Sequence, residues 1–177
     1  DALFASQITN LSQLIATNSA PSRVGNRHPT SAPFDSFTAS DGQVIIAAVT
    51  KIMFDQLCIL MGQPDLSNDP RFLTEASRMQ FEPELKSIIE KWTRTHSCVD
   101  IIRMCGEVEI PVGPIWDLKA AAQSENARDR NLLSEISHPV FETMQYVTQP
   151  VRFGNYRPSI KPEPELGANN SEIRDGI

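Results

Sequence analysis

The segment FDSFTASDGQVIIAAV, residues 34–49, constrains the fold more than any other stretch of this chain. Two apolar-rich runs flank Asp41-Gly42, a dipeptide suited to a turn with positive φ, so the sequence predicts an antiparallel hairpin. The second run, VIIAAV, is apolar enough to belong at the centre of a sheet. Helical patterns surround it. Leu3, Phe4, Ile8, Leu11, Leu14 and Ile15 recur at helical spacing near the start, and Ile52, Phe54, Leu57, Leu60 and Met61 do so before Gly62, a residue suited to a left-handed C-cap. The class that follows is α+β, a short antiparallel sheet with several helices.

Further along, Asp69-Pro70 has the chemistry of an N-cap with a first-turn proline and predicts a brief helix through Thr74. In FEPELKSIIEKWTRT, Leu85, Ile88, Ile89 and Trp92 make an apolar stripe, with Trp92 in the core, while Glu84, Lys86, Glu90, Lys91 and Arg94 fall on the wet side. Ser97 caps another helix, ended by Gly106. VEIPVGPIWDL carries prolines at 111 and 114 that forbid a helix, so it reads as an extended edge segment. Asp117 caps a helix over LKAAAQSENARDRNLL, and strands near LLSEISHP and TMQYVTQPVRF complete the small sheet. The last 24 residues, rich in proline and poor in apolar side chains, read as an extended arm lying on another surface.

Charge and cysteine usage remove several function classes. Sixteen basic against 22 acidic residues give a net charge of −6, with no basic cluster, which excludes an electrostatic footprint for nucleic acid. Cys58, Cys98 and Cys105 form neither a CxxC nor a Cys/His pattern, so they read as reduced, mostly buried thiols and predict no metal site. No apolar run is long enough to span a bilayer. These features predict a soluble protein of a reducing compartment, cytoplasmic or, in a eukaryote, the mitochondrial matrix. The chain opens on an aspartate already inside a periodic pattern, which reads as a piece of a longer polypeptide. Signatures of dinucleotide binding, nucleotide hydrolysis, metallopeptidase and serine-hydrolase chemistry are missing, and His28, His96 and His138 are scattered.

One loop concentrates polar groups. In SAPSRVGNRHPTSAP, Pro21, Gly25, Pro29 and Pro33 rule out regular structure, and Gly25, Asn26, Arg27 and His28 stand in four successive positions. Such a row of donors needs a polar partner opposite it. Arg23 reads as a solvated charge, and Asp69 with Arg71 as a capped, ion-paired turn.

GNRHPTSAPFDSFTASDGQVIIAAV, MGQPDLSNDPRF, EIPVGPIWDL and HPVFETMQYVTQPVRF resemble, in this order and approximate spacing, the C-terminal half of family III CoA-transferases. The resemblance runs from the opening helix to LGANN. It implies residues 1–24 as a linker helix from a missing large domain, residues 25–140 as a small α+β domain, and residues 141–177 as a return strand and arm. It implies an enzyme that moves coenzyme A between carboxylic acids, with the CoA thioester and a small acid as substrates and two subunits threaded into linked rings. The resemblance implies an aspartate that attacks the thioester to give a mixed anhydride, and it places that aspartate upstream of residue 1, so no residue here is expected to be catalytic. The loop of Gly25, Asn26, Arg27 and His28 is expected to face the substrate, where glycine admits backbone close to a ligand and the side chains donate to oxygen. A purely architectural loop, in which Arg27 and His28 hold carbonyls, is the plain alternative. An acyl-CoA racemase or isomerase, or a non-catalytic dimerisation module, would present the same half. The family often has a glycine shortly after the later His-Pro, where this chain has Val140, Phe141 and Glu142, so the turn there is in doubt.

Overall fold

In the computed structural model, which describes residues 2–151, 154–156 and 160–176, the predicted hairpin forms from Phe34–Thr38 (β1) and Gln43–Ala47 (β2). Its register runs from Phe34 opposite Ala47 to Thr38 opposite Gln43. The turn, however, needs no left-handed residue, because neither Asp41 nor Gly42 has positive φ. Four residues connect the strands, and Ala39 N–H donates to Gly42 O at 2.9 Å, a longer connection that right-handed geometry can close. Gly42 is needed for space instead, since a Cβ there would meet Cys98 Sγ at 3.1 Å.

Val112–Pro114 (β3) adds antiparallel to β2, which therefore occupies the centre of the sheet as its composition demands. Period-two alternation sends Phe37, Val44 and Ile46 into the core. There they meet Lys51–Leu60 (α3), Glu82–Thr93 (α5) and Cys98–Glu107 (α6), whose Phe54, Leu57, Leu85, Ile89, Ile101 and Cys105 are fully buried. Each large side chain so buried contributes roughly 1.5–3 kcal/mol. Trp92 lies in the same core.

Caps fix the helix boundaries. Thr50 Oγ1 accepts from Met53 N at 3.2 Å to start α3, and Gly62, at φ +69°, follows its end. The helix expected from Asp69 does not form. Pro64–Asn68 is a 3-10 turn, and Asp69 spends its carboxylate on Arg71, whose N–H and guanidinium both reach it. The helix starts later, at Glu75–Gln80 (α4), where Thr74 and Ser77 cap each other reciprocally. Ser97 caps α6 as expected and Asp41 Oδ1 takes the Cys98 N–H at 2.7 Å, but Gly106 sits inside the last turn and the left-handed residue is Glu109, φ 58°.

The N-terminal stripe yields two helices, Ala2–Ala5 (α1) and Ile8–Thr17 (α2), with no buried residue. Leu3 is 84% and Ile15 82% exposed.

The chain divides into two compact units between Ile115 and Trp116. In the second, Asp117 Oδ1 caps Leu118–Ala122 (α7), and Ser124 interrupts the expected long helix by capping Glu125–Asp129 (α8). Leu133–His138 (β4) and Glu142–Val147 (β5) pair with each other, register Leu133 opposite Val147 to His138 opposite Glu142. They make a separate two-stranded sheet and do not complete the first one. The doubtful turn exists, with Glu142 itself taking φ +60° where glycine is at home. A short helix, Asn170–Asp175 (α9), closes the arm, and the Tyr146 hydroxyl bonds Glu163. Arg152 and Phe153 of the expected final strand, and Arg157, Pro158 and Ser159 of the arm, lie outside the described residues. No helix among the described residues is long and apolar enough to cross a membrane.

Candidate functional site

The loop of Gly25, Asn26, Arg27 and His28 lies against β1. Gly25, at φ +72°, makes the turn that brings it there. Asn26 Nδ2 donates to Ser36 Oγ at 3.1 Å, and His28 N–H donates to Phe34 O at 2.7 Å, so loop and strand are tied at two alternate positions. The His28 ring stacks on Phe34 with centroids 5.0 Å apart and planes 5° from parallel. Its Nδ1 accepts the Thr30 N–H at 3.3 Å.

Arg27 points elsewhere. Its side chain lines a cleft with Ser31, Phe34, Asp35, Glu82 and Lys86 that holds only about 10 Å³, room for one water. Among the described residues no carboxylate lies within ion-pair distance of its guanidinium. The substrate-facing residues read from sequence therefore separate into an anchor, Asn26, and two groups with uncommitted donors, Arg27 and His28.

Behind the loop stands a polar scaffold that sequence patterning hid. Asp35, 5% exposed, accepts from Ser36 N–H at 2.6 Å and from Lys86 Nζ. A hydrogen-bonded path thus runs from Asn26 through Ser36 and Asp35 to α5. Lys86 and Glu90, expected on the wet side of that helix, turn instead onto β1, where Glu90 Oε1 accepts the Thr38 N–H at 3.2 Å. Burial by itself would raise the Glu90 pKa, but the Thr38 and Arg94 donors hold it below the ordinary value. Arg78 is 2% exposed and donates to three carbonyls, Ala32 at 2.7 Å, Val49 at 2.7 Å and Phe72 at 3.3 Å, while lying over the Phe54 ring. Burial lowers its pKa. The carbonyl of Ala32 lies between His28 and β1, so Arg78 fixes the far end of the loop. The one sequence signal for this scaffold is Asp35 itself, an aspartate within a strand between two phenylalanines. Arg78 gives none.

The thiols offer no nucleophile. Cys58 and Cys105 are pushed up to about 11 by burial, aided at Cys58 by the Asp55 charge, and Cys98 is raised by burial and by Asp41.

The sheet, its helices and the loop tied to β1 make an α+β unit. The sequence matches the model of CoA-transferase family III over residues 1–170, and the chain belongs to that family. It is similar to the acetyl-CoA:oxalate CoA-transferase of Acetobacter aceti, 37% identical over 118 residues, 67% of this chain and 30% of that protein. It is also similar to a succinyl-CoA:mesaconate CoA-transferase of Haloarcula hispanica, 30% identical over 141 residues, 79% of this chain and 35% of that protein. The crystal structure of a CAIB/BAIF family protein from Brucella suis shares the fold, with a TM-score of 0.80 at 24% identity over 96% of this chain and 44% of that one. The matches thus span about a third of the length of the two transferases and under half of the solved protein.

Proposed function

We propose that this chain is part of an enzyme that transfers coenzyme A between carboxylic acids, and that the loop of Gly25, Asn26, Arg27 and His28 faces its substrate. The observation that carries the reading is the uncommitted donor edge of His28, held on a rigid sheet in a chain that belongs to a CoA-transferase family. In this reading a carboxylate outside the present chain attacks the thioester carbonyl. The carbon–sulfur bond breaks, CoA leaves as thiolate, and an acyl-aspartyl anhydride remains for the acceptor acid to exchange. The part described here supplies wall and lid, donating to acyl or carboxylate oxygen and excluding the water that would hydrolyse the anhydride.

The relatives that act on oxalate and mesaconate favour a small dicarboxylic acid as acceptor. A cytoplasmic enzyme with two interlocked subunits fits the same reading, and the exposed apolar side chains of Leu3, Phe4, Ile8 and Ile15 suit a subunit contact.

The test uses the longer protein that carries this chain. With succinyl-CoA and a panel of small acids it forms new CoA esters, and hydroxylamine traps the acyl-enzyme as a hydroxamate. Residues 1–177 alone transfer nothing. Transfer by the short chain sinks the assignment of the nucleophile, and a full-length protein inert toward every acid sinks the transferase reading. A monomer in solution counts against the subunit contact.

A further inference from the structure

The second His-Pro of the chain discloses what the first one does. His138-Pro139 closes the β4–β5 turn, and His138 Nδ1 accepts two backbone N–H groups, Val140 at 3.0 Å and Phe141 at 3.2 Å. His28-Pro29 repeats the device, with Nδ1 accepting the N–H of the residue two positions on, Thr30. In both turns a phenylalanine ring lies against the imidazole, Phe34 at 5.0 Å and Phe141 at 4.9 Å. A ring nitrogen that accepts a backbone N–H is using its lone pair, so the ring proton of each histidine resides on Nε2. The tautomer follows from the turn and requires no charged partner.

In neither ring does Nε2 enter a hydrogen bond among the described residues; the rings differ in burial and setting, His138 at 9% exposure in its own hairpin turn and His28 half-buried on the loop tied to β1. We infer that His28 is a fixed Nε2–H hydrogen-bond donor to an oxygen of the acyl group or acceptor acid, and not a proton-accepting base, with Phe34 and the Thr30 backbone N–H as its positioning groups. This rests on the substrate-facing reading of the loop and sharpens it to one atom. A donor oriented before substrate arrives costs no reorganisation when negative charge gathers on oxygen. Stacking on a strand residue restricts ring rotation, and the His28 N–H to Phe34 O bond sets the backbone from which the ring projects.

The decisive variant is His28→Asn in the longer protein. An asparagine side-chain oxygen can take the same N–H two residues on, as asparagine does in turns, so the turn closes without the Nε2–H. The expected result is a fall of about 10²-fold in kcat for CoA transfer from succinyl-CoA, with the melting temperature close to that of the parent, in line with the loss of one donor to a developing oxyanion. Activity within about two-fold of the parent overturns the inference and makes His28 a turn cap like His138. The counterpart His138→Asn keeps its turn in the same way and leaves transfer unchanged. A second measurement stands apart from turnover and from the folding of variants. Long-range proton–nitrogen NMR correlations of the parent protein show His28 as the Nε2–H tautomer, and that proton moves on titration with the panel acids. An Nδ1–H tautomer, or an Nε2–H signal indifferent to every acid, overturns the inference. If the parent protein transfers CoA normally while the signal stays still, the donor role fails and the transferase reading stands.

Discussion

The turns at His28-Pro29 and His138-Pro139 share a local design and differ in what lies behind them. The second is nearly self-sufficient. Both N–H partners and the ring neighbour come from the three residues after the histidine, and β4 and β5 pair directly on either side. The first draws its ring neighbour from β1, six residues away, and is held by Asn26 to Ser36 and by Arg78 to Ala32. A turn completed by neighbours in sequence closes a hairpin. The same turn completed by a sheet and a buried guanidinium can carry a ring edge at a fixed place on the surface, which is what a ligand contact requires.

The largest way to break the first turn is from below. Arg78→Ala leaves three carbonyls without their donor and opens a cavity beside Phe54, a loss of about 3 kcal/mol. Chemical denaturation of the first unit should report it, and hydrogen exchange should accelerate at the Thr30 N–H while the Val140 N–H stays protected. Equal acceleration at both would make the two turns parts of one cooperative structure and end the comparison.

Lys86→Met comes next. It strands the Asp35 carboxylate, 5% exposed, at the end of the path that begins at Asn26. Removing one partner of a buried pair costs 3–5 kcal/mol in a dry site; with Lys86 about one-third exposed, about 2 kcal/mol is expected here. Asp35→Asn combined with Lys86→Met should recover part of it, because the stranded charge is then gone. A double variant no better than the single one would show that Lys86 acts through packing on Phe37, not through charge.

Much of this architecture was legible in residue order. The hairpin, the central place of β2, the caps at Ser97 and Asp117, and the loop that leads into β1 all follow from local rules of spacing and turn chemistry. What escaped was set at a distance. Lys86 and Glu90 lie on the polar side of a helical wheel, and only the approach of β1 turns them inward. Arg78 sits between Ser77 and Met79 in EASRMQ, and nothing local tells that three carbonyls from 6, 29 and 46 residues away converge on it. The strands at 133–147 were visible, but which sheet they join depends on pairing energies that a single strand's pattern does not contain. The candidate loop is legible through its row of donors, while the separation inside it, Asn26 tied to Ser36 and His28 with Nδ1 engaged by Thr30, appears only in the hydrogen bonds.

Asn26→Ala tests that division at smaller scale. Loss of its bond to the Ser36 hydroxyl should cost about 1 kcal/mol. If Asn26 only anchors, transfer per folded molecule falls less than in His28→Asn, and the Nε2–H resonance of His28 broadens but keeps its tautomer. A drop in turnover as deep as that of the histidine variant, with the resonance unchanged, would place the Asn26 amide itself on the substrate.

The smallest effect is the most discriminating about the turn. Thr30 offers His28 Nδ1 two donors, its backbone N–H at 3.3 Å and its hydroxyl at 3.4 Å. The second turn has Val140 at the equivalent position, with an N–H and no hydroxyl, and closes at 3.0 Å. A second backbone N–H, that of Phe141 at 3.2 Å, stands there in place of the hydroxyl. Thr30→Val transplants the second turn's residue into the first, keeps the N–H, and exchanges an exposed hydroxyl for a methyl of similar shape. Its expected cost is within about 0.5 kcal/mol, as for an ordinary surface change, and the His28 ring should keep its proton on Nε2. A switch of tautomer in this variant would mean that the hydroxyl, by donating, had been the group that fixed the ring. The two turns would then resemble each other in outline but owe their geometry to different atoms.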